Sequence, residues 1–123
     1  MAKVLIAEDD VNVLGLFSSV VDSLGHTAIK CHNGKVALDI VSDNYDIAML
    51  IVDYKMPEMD GGQLVKRVRE QKGFDRVPIL IVSSVIRPKD IAHLLELGAT
   101  YFLPKPVDMQ QLKDFVNKNL ASA

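Results

Sequence analysis

The stretch Met49-Leu-Ile-Val-Asp53-Tyr-Lys-Met-Pro57-Glu-Met-Asp-Gly61-Gly62 decides how this chain is read. Four apolar residues run without polar alternation into an aspartate. Such a run reads as a short strand buried on both faces, as in a parallel sheet. Asp53 then stands where the strand leaves the core, and Pro57 with Asp60-Gly61-Gly62 closes a loop behind it. Open α/β sheets bind ligands at the carboxyl ends of their strands, so this carboxylate is a candidate site residue. A lone aspartate here can equally be a helix N-cap or a solvated loop acid. The rest of the chain decides between these readings.

Upstream, Lys3 to Ala7 is a short buried strand ending in Glu8-Asp9-Asp10. Leu14, Phe17, Val20, Val21 and Leu24 then recur at helical spacing, with Asp10 as N-cap and Gly25 as stop. Thr27 to Cys31 reads as a second strand and Asn33-Gly34 as a turn. Val36, Ala37, Ile40 and Val41 form one face of a second helix, and Ile47 to Val52 is the third strand. Downstream, Leu64, Val65 and Val68 mark a third helix that ends before Gly73. Val77 to Val82 is a fourth strand, with Pro78 near its start because proline removes a ladder donor, and Ser83-Ser84 closes it. Ile91, Leu94 and Leu95 mark a fourth helix between Pro88 and Gly98. Thr100 to Leu103 is a fifth strand, followed by Pro104-Lys105-Pro106. Asp108 with Gln111 has capping-box spacing, and Leu112, Phe115, Val116 and Leu120 give the last helix its apolar face. Five strands alternating with five helices imply an α/β fold: a doubly wound parallel sheet, covered on both sides and joined by right-handed crossovers. Periodicity leaves the strand order open.

The 123 residues are enough for one domain with its own core, hiding roughly two-thirds of the unfolded surface. A formal net charge of -2 gives no basic footprint, so direct nucleic-acid binding is not expected. Cys31 stands alone, which excludes an internal disulfide and fits a reducing, cytoplasmic compartment. The apolar start at Val4 is cut off by Glu8-Asp9-Asp10, too short for a signal peptide, and no run approaches transmembrane length. With no linker or repeat, residues 1–123 are expected to form a single domain with no output domain attached.

In a parallel sheet all strand ends point one way. Glu8, Asp9 and Asp10 follow the first strand, Asp53 the third, Ser83 and Ser84 the fourth, and Lys105 the fifth; the second offers only His32 and Asn33. Two unit charges about 5 Å apart repel by roughly 3 kcal/mol at an effective dielectric near 20, so grouped carboxylates call for a proton or a cation. Oxygen-only ligands suit a hard divalent ion such as Mg²⁺, which uses one or two carboxylates together with waters and a phosphate. A glycine-rich phosphate loop is missing, and Gly34-Lys35 lacks the spacing of a P-loop. A carboxylate beside a metal, a lysine and a hydroxyl can act as a nucleophile on phosphorus to give an aspartyl phosphate.

The chain resembles the response-regulator receiver domain of two-component signalling, of the chemotaxis-regulator type, over essentially its whole length. The carriers are Val4-Leu-Ile-Ala-Glu8-Asp9-Asp10, Ile51-Val-Asp53-Tyr-Lys-Met-Pro57-Glu-Met-Asp60-Gly61, Pro78-Ile-Leu-Ile-Val-Ser83-Ser84 and Phe102-Leu-Pro-Lys105-Pro106. The four motifs occur in order at matching intervals. The resemblance implies a flavodoxin-like strand order 2-1-3-4-5, a cis bond at Lys105-Pro106, and Asp53 as phosphoacceptor. It implies Mg²⁺ as cofactor, held by Glu8, Asp9, Asp53 and the backbone carbonyl of Lys55. Ser83 and Lys105 would contact the phosphoryl oxygens, and Phe102 occupies the switch-aromatic position. Ser83 stands for the frequent threonine, Phe102 for the frequent tyrosine, and Glu8 reaches one methylene further than aspartate. Lys55 and Val85 occupy the places where the family tunes dephosphorylation.

The implied partners are a sensor histidine kinase or phosphotransfer protein as donor, and a downstream protein target. The target would bind the face built by the fourth helix, fifth strand and last helix, where Lys89, His93, Glu96, Lys113 and Lys118 are candidate exposed residues. No membrane insertion is implied, and the protein would be a monomer or weak dimer. It would be a signalling switch rather than an enzyme, catalysing only its own phosphoryl transfer and aspartyl-phosphate hydrolysis. Moving an equilibrium from 1:99 to 99:1 takes about 5.5 kcal/mol, whereas one charge-assisted hydrogen bond supplies about 1.5–3, so Ser83, Lys105 and the metal must act together. Two other classes compete. A phosphorylation-independent pseudo-receiver is disfavoured by the intact Glu8, Asp9, Asp53 and Lys105 set. A metal-dependent phosphatase with an aspartyl intermediate is disfavoured because Lys55 stands where its general acid belongs.

Overall fold

A computed structural model describes residues 2–44, 46–84 and 87–120. Its elements are β1 (Lys3–Ala7), α1 (Val11–Ser23), β2 (Thr27–Cys31), α2 (Gly34–Asp43), β3 (Ile47–Asp53), α3 (Gly61–Arg69), β4 (Ile79–Ser83), α4 (Pro88–Leu97), β5 (Tyr101–Pro104) and α5 (Met109–Asn119). The strands pair in parallel in the order β2-β1-β3-β4-β5, the flavodoxin-like order that the resemblance implies. Central β3 and β4 have no exposed residue, as their unbroken apolar runs require.

Alternation along each strand divides the core into two layers. Leu5, Leu50, Val52, Ile79 and Ile81 face one side, against buried residues of α2, α3 and α4. Val4, Ile6, Ile51, Leu80 and Val82 face the other, against those of α1 and α5. The register shifts between Lys3↔Ile47 and Val4↔Met49. This irregularity explains why Ile47 and Met49, two residues apart, lie in opposite layers.

The helix signals hold with informative exceptions. The Asp10 carboxylate accepts from the Asn12 and Val13 amides at 2.9 and 3.2 Å, and Gly25 takes φ 88° past the end of α1. The reciprocal capping box forms at Asp60 and Gln63 of α3, whereas Asp108 accepts from Gln110 and Gln111 without a return bond closing the box. Asn33 and Gly34 are not a free turn: Asn33 caps α2 and Gly34 is its first residue. Val36 and Leu95 sit beside the apolar stripes rather than on them: both are exposed, at 42% and 47%. β4 begins at Ile79 rather than Val77, since Pro78 can only offer its carbonyl, to the Leu50 amide at 3.0 Å. β5 runs one residue later than its sequence pattern, because Thr100 brackets the start of β4 instead. Its amide donates to the Ile79 carbonyl at 2.8 Å and its hydroxyl accepts from the Ile79 amide at 2.9 Å. The Lys105-Pro106 bond is cis, as expected.

Candidate functional site

The sheet delivers Glu8, Asp53, Ser83 and Lys105 to one edge. Glu8 follows the last residue of β1 and is tied to β2 by its amide, which donates to the Cys31 carbonyl at 3.1 Å. Asp53 ends β3 and pairs in register with Val82; the Tyr54 amide donates to the Val82 carbonyl at 2.9 Å. Ser83, the last residue of β4, is buried, and its carbonyl accepts from the Lys105 amide at 2.9 Å. Glu8 and Asp53 are also buried, at 0% and 5% exposure, while Asp9 lies open to solvent.

One carboxylate oxygen from each of Glu8, Asp9 and Asp53 falls within 4.8 Å of the other two. The Lys105 ammonium reaches into this group, 2.9 Å from Glu8 Oε1 and 3.3 Å from Asp53 Oδ2. Glu8 Oε2 accepts from the Asp10 amide at 3.1 Å, while fully buried Glu8 Oε1 takes no hydrogen bond among the described residues, so its contact with Lys105 is a close but poorly directed ion pair. Three carboxylates thus face one ammonium. Burial first, and then the neighbouring Glu8 carboxylate, push the Asp53 carboxyl up to about 7 against the pull of Lys105. Burial alone would lower the Lys105 ammonium, but Glu8 and Asp53 together outweigh it and hold the group above its ordinary value.

This donor set fits a hard divalent cation. It is all oxygen, it has excess negative charge, and it includes a buried carboxylate oxygen that among the described residues has only the Lys105 ion pair. The remaining expected ligand, the Lys55 carbonyl, lies two residues past Asp53 in the loop between β3 and α3, and the Lys55 side chain is exposed. Phe102 is half-buried and packs with the α2–α4 layer; neighbouring Tyr101 is exposed and stacks on Phe115 with ring centroids 6.0 Å apart. Of the residues expected on the α4–β5–α5 face, Lys89, His93, Glu96 and Lys118 are exposed, but Lys113 is half-buried. Val85 lies outside the described residues. Asp60 serves as a helix cap, and the His26 Nδ1 accepts from the Ala2 amide at 3.1 Å, 24 residues away in the chain. Cys31 is buried, and burial pushes its thiol up to about 11.

Sequence reasoning missed the clamp made by Arg69. Its guanidinium donates to the Gly98 carbonyl at 3.0 and 2.7 Å and to the Phe74 carbonyl at 2.7 Å, joining the ends of α3 and α4. No local pattern announces a contact between residues so far apart in the chain.

Comparison with known proteins agrees with the geometry. The profile of the response regulator receiver domain matches residues 4–117. A chemotaxis protein CheY homolog of Campylobacter jejuni is 31% identical over 113 residues, covering 91% of this chain and 87% of that protein. The two-component response regulator ORR3 of Oryza sativa is 33% identical over 127 residues, covering 96% and 97%. The structure of the chemotaxis response regulator CheY4 of Vibrio cholerae superposes with a TM-score of 0.90 at 28% identity, covering 98% of this chain and 99% of that one. The chain belongs to the response regulator receiver domain family.

Proposed function

We propose that this receiver domain takes a phosphoryl group onto Asp53 from a histidine kinase or phosphotransfer protein, with Mg²⁺, and thereby changes how its α4–β5–α5 face binds a protein target. The observation that carries the reading is the convergence of Glu8, Asp9 and Asp53 with the Lys105 ammonium at one strand edge. Asp53 attacks phosphorus through a carboxylate oxygen; an O–P bond forms, the P–N bond of the donor phosphohistidine breaks, and the imidazole leaves. Only the ionised carboxylate is a nucleophile, so added positive charge, which favours the ionised form of this raised group, promotes its reaction at neutral pH. Lys105 supplies part of it and is within reach of a phosphoryl oxygen on Asp53. Glu8, Asp9, Asp53 and the Lys55 carbonyl would hold Mg²⁺, which when bound neutralises the carboxylates and the incoming phosphate. Ser83, beside Asp53 on the next strand, would donate its hydroxyl to a phosphoryl oxygen, and Phe102 would follow that movement. A cytoplasmic setting for this switch fits its single cysteine, Cys31, because reducing compartments disfavour disulfides. Among the described residues no helix is long and apolar enough to cross a membrane.

Intact mass after incubation with Mg²⁺ and acetyl phosphate tests this reading. The wild type should gain one phosphoryl group, about 80 Da, in a Mg²⁺-dependent way, and Asp53→Asn should gain none. An adduct retained by the variant would move the acceptor elsewhere. No adduct in the wild type, together with failure to bind beryllofluoride, would favour a phosphorylation-independent binding module.

A further inference from the structure

The loop between Asp53 and α3 is flanked on two sides by glycines with no room for a Cβ. On the inside, a Cβ at Gly61 would lie 2.8 Å from Tyr54 Cα and 3.0 Å from the Asp53 carbonyl oxygen. On the outside, a Cβ at Gly34, the first residue of α2, would lie 2.7 Å from the Met59 carbonyl oxygen and 3.0 Å from Met59 Cβ. Both contacts involve backbone, which cannot turn aside as a side-chain end can. The loop between them is tightly folded. The Gly61 amide donates to the Tyr54 carbonyl at 2.7 Å, the Met59 amide donates to the Pro57 carbonyl at 2.8 Å, and Glu58 is held at φ 69°. A non-glycine residue in that left-handed region costs energy and persists only where its surroundings enforce it.

We propose that Gly34 is a positioning residue for the metal-binding edge: its bare Cα is the backstop that sets where the loop, and with it the Lys55 carbonyl, sits relative to Asp53. The inference rests on reading that edge as a divalent-cation site. If Gly34 carried a methyl group, either α2 or the loop would have to move. The first turn of α2 is anchored: Asn33 accepts from the Val36 amide at 2.8 Å, and Ala37 is fully buried in the core. The loop already holds one residue in an unfavourable conformation, so the loop gives way. Tyr54 is fixed at both peptide groups, by Val82 and by Gly61, so the displacement falls on residues 55–59, the segment that carries the expected carbonyl ligand.

Calorimetric titration of the full chain with MgCl₂ tests this. Gly15→Ala provides the background, because Gly15 is an exposed residue of α1 with no atom near its missing Cβ, and alanine favours the helix. Adding Gly34→Ala should weaken Mg²⁺ binding by about ten- to a hundredfold, the range found when supports of metal ligands are removed. Gly61→Ala in the same background displaces the segment from its other side and should also weaken binding. Melting in EDTA, measured alongside, separates positioning from folding: a merely structural glycine would lower the midpoint and leave the Mg²⁺ affinity unchanged. Unchanged affinity on adding Gly34→Ala overturns the inference alone, whatever Gly61→Ala does. Absence of Mg²⁺ binding in the background protein overturns the metal reading and this inference with it.

Discussion

The carboxyl edge around Asp53 and the flank formed by α4 are built in opposite ways. At the edge, charged groups are buried, Tyr54 has both peptide groups bonded, and two glycines admit contacts that no side chain could occupy. On the flank, α4 buries only Leu94, whereas α1 on the other side of the sheet buries five residues. A groove of about 370 Å³ lies between α3 and α4, lined by Tyr54, Lys66, His93 and Leu97 among others, and Arg69 fastens only the far end of the helix. The edge fixes geometry at the expense of stability. The flank has little packing to lose when it moves, and segments that move in switches come from the weakly held parts of a fold. Under the proposed function, this difference in packing would separate the phosphate-accepting edge from the target-binding flank.

The largest expected effect would break the edge. Lys105→Met leaves Glu8 and Asp53 buried without their cation, which should cost on the order of 3 kcal/mol in denaturant melts without metal. Mg²⁺ should recover part of that loss. A variant as stable as wild type in EDTA would show that the carboxylates are already neutralised by protons.

A second test sharpens the same point through pH. The Asp53 carboxyl titrates near 7 in the fold, against about 3.9 unfolded. The folded state therefore holds a proton that the unfolded chain has released. The stability this supplies is complete below about pH 4 and is lost as the pH rises through 7, to a total on the order of a few kcal/mol. Metal-free wild type should lose stability between pH 5 and 8 more steeply than Asp53→Asn, and Mg²⁺ should stabilise it more at the higher pH. Parallel pH profiles for the two proteins would rule this out.

The smallest effect probes the flank. Arg69→Met removes the guanidinium from two backbone carbonyls and should cost about 1–3 kcal/mol. Hydrogen exchange should quicken in α4 and leave β3 unchanged. Equal acceleration in both would mean that edge and flank open as one unit and that the contrast between them is not functional.

Much of this was legible in the chain because it depends on neighbours in sequence. The buried run into Asp53, the Asp10 cap and the Pro88 and Gly98 boundaries of α4 all follow from local chemistry. Element ends were less legible. Whether Thr100 joins β5 or caps β4 depends on Ile79, which lies elsewhere in the chain. The capping box at Asp60 carries the same spacing as the pair at Asp108, yet only the first closes. Helical periodicity also placed Val36 and Leu95 inside, because it marks a stripe without giving its width.

Five strands, five helices and an acidic edge follow from the chain alone, since apolar period and turn residues act over a few positions. The charge balance at Asp53, the close approach of Gly34 to Met59 and the Arg69 clamp came only with the three-dimensional fold. Each joins residues from different elements, and burial and distance in three dimensions, rather than residue type, set the strength of such contacts.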